Sequence, residues 1–174
     1  MFELQNERTE LLEKIEELFG RKRYAELRDL LLPMEAADIA ALCTDLDEKV
    51  PVVFRLLPKE LAAEVFVELD SDDQELLIHS FSNTELKEVL DELYLDDAAD
   101  IVEEMPAGVV KRILRHCDPE MRKSINEVLK YPEDSAGSIM TTEFVDLKAN
   151  MTVEDALKRI RRTGPDKETI NICY

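Results

Sequence analysis

The side chains best placed to do chemistry are carboxylates, and their densest cluster is Asp96-Asp97-Ala98-Ala99-Asp100, followed by Glu103 and Glu104. On a helix, Asp96 and Asp100 stand one turn apart on the same side, as do Asp100 and Glu103 or Glu104. Asp96 and Asp97 would fall in the first turn, where the helix dipole alone favours anions. That explanation does not reach Asp100. Hard oxygen ligands suit Mg2+ or Ca2+, and a few carboxylates with retained waters suit Mg2+ better than a dedicated Ca2+ cage. No calcium loop of the D-x-D-x-D-G type is present.

The cluster lies in an unusually acidic stretch. Glu60 to Glu104 holds 16 acids and one base, Lys87, whereas Lys111, Arg112, Arg115, Arg122 and Lys123 follow within a short span. So few lysines forgo the usual i, i+4 pairing, so counterions or a partner must offset the self-repulsion. The basic cluster lacks interleaved aromatics and is expected to meet acids of the same molecule. Over all 174 residues, 40 acids face 22 bases, for a net charge of −18. Phosphates and anionic lipids repel such a chain, which argues against a nucleic-acid partner.

Enzyme signatures are missing: there is no phosphate loop, no G-x-S-x-G, no H-E-x-x-H and no C-x-x-C. His79 and His116 read as structural or solvent-edge residues. Cys43, Cys117 and Cys173 are odd in number and set in apolar contexts, so they read as buried thiols of a reducing compartment. No run approaches 18 apolar residues, and no signal-peptide core opens the chain.

The elements that must carry these residues are short helices. Residues 1–32 predict two of them, the first with Leu11, Leu12, Ile15, Leu18 and Phe19 on one face and Gly20 as its C-terminal stop. From residue 58 the sequence repeats every 12 residues: PKELAAEVFVEL, DSDDQELLIHSF, SNTELKEVLDEL, YLDDAADIVEEM, PAGVVKRILRHC and DPEMRKSINEVL. The eighth positions (Val65, Leu77, Val89, Ile101, Ile113, Ile125) and twelfth positions (Leu69, Phe81, Leu93, Met105, Cys117, Leu129) are all apolar. Each unit predicts one helix of about two turns, too short to be stable alone; stacking on its neighbours into a superhelix is expected, with an ordinary bundle of short helices as the alternative. The seventh position is acidic at Glu64, Glu88 and Asp100, an acidic stripe along the stack. Two looser units, near 33–46 and 47–57, precede the series.

After Lys130 the pattern breaks into a linker, 131–142. A β-like run (144–147), a helix capped by Thr152 with Asp155 at its third position, and a second β-like run (169–174) predict the opening βαβ part of another domain, 143–174. The chain therefore reads as mainly α, with 1–130 a stack of short helices, and as a fragment that stops inside its second domain.

The repeats, the segment YLDDAADIVEEM and above all YPEDSAGSIMTTEFVDLKANMTVEDALKRIR resemble the cytosolic N-terminal part of MgtE-type magnesium channels. The repeats alone are less specific, since the FliG rotor proteins use similar units. The Ser-Ala-Gly-x-x-Met junction running into a capped helix looks like the entry to a CBS domain. The resemblance implies a right-handed helical superhelix, then the start of the first of two CBS domains, on the cytoplasmic side of the cell membrane. It implies a homodimer whose partners are the rest of its own CBS pair and a transmembrane pore. Mg2+ would be the bound ion, with Asp96 and Asp100 as ligands, Glu64 and Asp97 as further acidic positions, and Gly137 offering a backbone carbonyl. High Mg2+ would dock the acidic faces of the N and CBS domains and close the pore. Tyr94 stands where an Asp often opens the unit, and Ser138 replaces a common second glycine. The alternatives are a FliG-like protein–protein scaffold with no metal role, and a nucleotide sensor, because CBS pairs often bind adenine nucleotides.

Overall fold

The computed structural model describes residues 2–132, 135–138, 140–167, 170 and 173. Among them are eleven α-helices: α1 (Phe2–Gly20), α2 (Tyr24–Leu31), α3 (Ala36–Cys43), α4 (Val50–Leu56), α5 (Lys59–Val67), α6 (Ser71–Ser80), α7 (Asn83–Leu90), α8 (Leu95–Glu104), α9 (Ala107–His116), α10 (Pro119–Val128) and α11 (Val153–Thr163). Short 3-10 turns occupy Asp47–Lys49 and Gly164–Asp166. The 12-residue units of the sequence correspond one to one with α5 to α10. No described helix is long and apolar enough to cross a membrane.

The helix starts follow from local chemistry. Asp70 accepts from the Asp73 N–H at 2.9 Å, Ser82 and Glu85 form a reciprocal capping box, and Asp118 accepts from the Glu120 N–H at 2.8 Å with Pro119 at the first helical position. One terminus departs from expectation. Gly20 does not end α1 in a left-handed conformation; Lys22 does, with φ of 55°. The Arg23 N–H donates to Leu18 O at 2.9 Å and the Lys22 N–H to Phe19 O at 3.0 Å, the paired bonds that close a Schellman turn.

The chain divides into two compact units, one of Met1–Glu92 with Met105–His116, the other of Leu93–Glu104 with Cys117–Tyr174. In the first, helices pack on the next but one: α2 on α4, α4 on α6, α3 on α5, α5 on α7 and α7 on α9. This is how short helices of a repeat bury a shared core that none could form alone. Phe54, Phe66 and Phe81 stand at its centre with ring centroids 6.1–6.4 Å apart. In the second unit α8 packs on α10 by the same spacing. All six eighth-position residues are buried, as are the twelfth-position residues except Leu129, which is exposed where the series ends.

Of the expected βαβ, the helix is present: Thr152 caps α11 by accepting the Asp155 N–H at 3.2 Å. The run 144–147 shows one bridge residue, Phe144, and no strand among the described residues. The run 169–174 falls mostly outside the described residues.

Candidate functional site

Asp96, Asp97 and Asp100 share α8. Leu95, Ala98, Ala99, Ile101 and Val102 are its buried face, which leaves Asp96 and Asp97 half-buried and Asp100 exposed. The 3.6-residue period thus puts Asp96 and Asp100 on one flank, as the spacing predicts. Asp96 Oδ1 is buried and accepts no hydrogen bond. The Asp100 carboxyl titrates above its ordinary value, first because part of it is desolvated, then because Asp96 and Glu104 repel its charge. Asp97 already has an interaction partner.

A residue that sequence reasoning missed completes the start of α8. The Leu95 N–H donates to Glu143 Oε2 at 2.7 Å, a bond spanning 48 residues. Nothing local in the sequence points to it; only the unsuitability of Tyr94 as a cap hints that an acceptor must come from elsewhere.

Glu64 is exposed on α5, in the first compact unit. Gly137 lies in the turn where the Ser138 N–H donates to Ser135 O at 3.1 Å. A Cβ at Gly137 would stand 2.4 Å from the Tyr131 ring, so the close approach of that ring accounts for glycine here. Among the described residues, no group of three or more His, Cys, Asp or Glu side chains could hold a metal ion.

Glu85 and Glu88 of the acidic stretch are paired by bases from outside it. Arg55 Nε lies 2.7 Å from Glu85 Oε1 and Lys59 Nζ 2.9 Å from Glu88 Oε1. Arg55, together with the capping bonds at Ser82, holds the Glu85 carboxyl at about 2. The basic cluster follows expectation in part. Arg112 donates to Ile78 O and, at 2.6 Å, to Phe81 O at the end of α6, and Arg122 donates to Cys117 O at 3.2 Å. These guanidiniums cap carbonyls; Lys123, 3.9 Å from Glu127, does meet an acid. His79 is exposed and 3.4 Å from Glu75. Cys43 and Cys117 are buried, and burial pushes the Cys43 thiol up to about 12, while Cys173 is only half-buried.

The family described as the MgtE intracellular N domain matches residues 34–134, more than half the chain. The chain belongs to that family. The matched span contains α3 to α10, and with them Glu64, Asp96, Asp97 and Asp100; Gly137 lies just beyond it. The magnesium transporter MgtE of Thermus thermophilus is 39% identical over 153 residues, covering 85% of this chain and 34% of the relative. MgtE of Bacillus subtilis is 24% identical over 166 residues, covering 95% of this chain and 37% of the relative. The chain therefore spans about a third of the length of these MgtE relatives. Among solved structures, the cytosolic domain of the Mg2+ channel MgtE in complex with ATP superposes with a TM-score of 0.84 at 36% identity, covering 94% of this chain and 67% of that one. The soluble part of a magnesium transporter superposes at 0.81 with 26% identity, covering 96% and 66%.

Proposed function

We propose that this chain is the magnesium-sensing regulatory region of a magnesium channel or transporter, on the cytoplasmic side of the membrane. The observation that carries this reading is the Asp96 Oδ1 oxygen, buried without a donor one turn from Asp100, whose own carboxyl is raised by partial desolvation and then by like charge. A cation relieves both conditions at once. Two carboxylates and retained water are the donor set that Mg2+ accepts. Asp96 and Asp100 are the proposed ligands, with Asp97 and the Gly137 carbonyl as further contributors and Glu64 as a further acidic position on α5. The MgtE relatives, named as magnesium transporters, support the choice of ion.

Within this reading, residues 1–130 are a right-handed superhelical N domain, 131–142 a linker and 143–174 the opening of a CBS domain. The whole protein is a homodimer with a pore. When Mg2+ is scarce, acidic faces of the N domain and CBS pair repel; when it is abundant, ions bridge them, the domains dock and the pore closes. A site part-formed at Asp96 and Asp100 in this chain, which gains ligands on docking, binds the docked state more tightly and so moves that equilibrium. A second reading, adenine-nucleotide binding by the CBS pair, is supported by the ATP complex of the solved neighbour; ATP titrated into the intact protein decides it.

Thermal unfolding against Mg2+ at fixed ionic strength tests the sensor. With a dissociation constant of about 1 mM, about 10 mM Mg2+ stabilises the chain by roughly 1.4 kcal/mol, raising Tm by about 3–6 °C. Asp96→Asn/Asp100→Asn should abolish the rise. A rise that Na+ reproduces, or that the double variant keeps, would favour the FliG-like scaffold.

A further inference from the structure

Helix α8 lacks the side-chain cap that opens α6, α7 and α10, and it lacks the proline that precedes α5 and α9. α6, α7 and α10 start behind Asp70, Ser82 and Asp118, each of which accepts an amide of its own first turn. α8 starts behind Tyr94, a residue with no oxygen close to its backbone. Its acceptor is Glu143, whose Oε2 takes the Leu95 N–H at 2.7 Å. A carboxylate at that end also meets the positive pole of the helix, so the bond is charge-assisted. Glu143 is not a free arm. Its own N–H donates to Thr141 Oγ1 at 3.0 Å, and Val145, two residues on, is buried at 1% exposure.

We propose that Glu143 is a positioning residue for the cation site: a remote N-cap that ties segment 141–145 to the helix presenting Asp96 and Asp100. The proposal rests on the magnesium reading above and supplies its regulation. Leu95 immediately precedes Asp96, whereas Asp100 lies a full turn deeper in α8. Loss of the Glu143 bond frays the turn that carries Asp96 and leaves Asp100 in place, so the two carboxylates cease to converge. By linkage, a cation held by Asp96 and Asp100 strengthens the Leu95–Glu143 bond and orders the segment that follows the linker. Binding at α8 is thereby transmitted to the start of the next domain through one hydrogen bond.

The test uses the full chain as wild type, Glu143→Gln, Glu143→Ala and Glu143→Ala/Tyr94→Ser. It reads amide hydrogen exchange at 95–98 and 143–145, and the affinity for Mg2+ alone. Glu143→Ala should speed exchange at 95–98 about tenfold, the equivalent of about 1.4 kcal/mol, and weaken Mg2+ severalfold. Glu143→Gln, which keeps an acceptor oxygen, should retain most of the protection. Tyr94→Ser, added to Glu143→Ala, should restore protection at 95–98 and Mg2+ affinity but leave 143–145 fast, because the cap is then local. Unchanged exchange in Glu143→Ala overturns the proposal. So does faster exchange with unchanged Mg2+ affinity, which leaves a structural cap and no positioning role. If the wild type binds no Mg2+, the magnesium reading fails first, and the exchange data then show whether the tether exists without it.

Discussion

Replacing Asp100 by asparagine should stabilise the ion-free chain while removing its response to magnesium. Partial desolvation pushes the Asp100 carboxyl upward in pH first, and Asp96 and Glu104, each four residues away on α8, push it further. Like charges at that spacing cost about 0.2–0.5 kcal/mol per pair, so two pairs give about 0.4–1 kcal/mol, toward the lower end for an exposed side chain. The sign follows from the raised value. Proton binding to Asp100 favours the folded state, so its stabilising effect is full in acid and is lost as pH rises through the folded value. Urea unfolding at low ionic strength should therefore find Asp100→Asn more stable than wild type at pH 7, and the two nearly equal at pH 3. Millimolar Mg2+ should close the gap at pH 7 by stabilising the wild type only. A variant less stable than wild type at pH 7, or a gap that persists at pH 3, would refute the reasoning.

Lys22→Gly should add about 0.5–1 kcal/mol in the same assay, because Lys22 holds φ of 55° and glycine occupies that region without a Cβ penalty. Arg112→Ala should cost about 2–3 kcal/mol by removing a charged donor from the Ile78 and Phe81 carbonyls, and Arg112→Lys should recover only part of it. Glu85 sits at about 2, below its ordinary carboxylate value of 4.5, so it adds stability above that value that is lost as pH falls toward 2. Glu85→Gln should be less stable than wild type at pH 6, and the difference should shrink through that window in acid-dependent unfolding.

The helical stack was legible because burial imposes a period. Val65, Leu77, Val89, Ile101, Ile113 and Ile125 recur every 12 residues in the sequence, and all are buried. Helix starts at Asp70, Ser82, Asp118 and Thr152 were legible because a cap is a contact over two or three residues. The end of α1 misled because glycine usually takes the left-handed position, whereas here Lys22 does. Charge alone points Arg112 to acids, yet the C-terminus of α6 offers carbonyls that no composition count shows. Asp96 and Asp100 were placed together by helical spacing, but the buried, donorless state of Asp96 Oδ1 depends on packing. Glu143 was out of reach, since its partner lies 48 residues away in the chain.

The most direct test of the magnesium-sensing claim is calorimetric titration of Mg2+ into this chain, beside Asp96→Ala/Asp100→Ala, with ionic strength held constant. The account predicts saturable binding in the millimolar range, about 4 kcal/mol, weakened about tenfold or more by the double substitution. Heats that are equal in both proteins, or that Na+ reproduces, would contradict it.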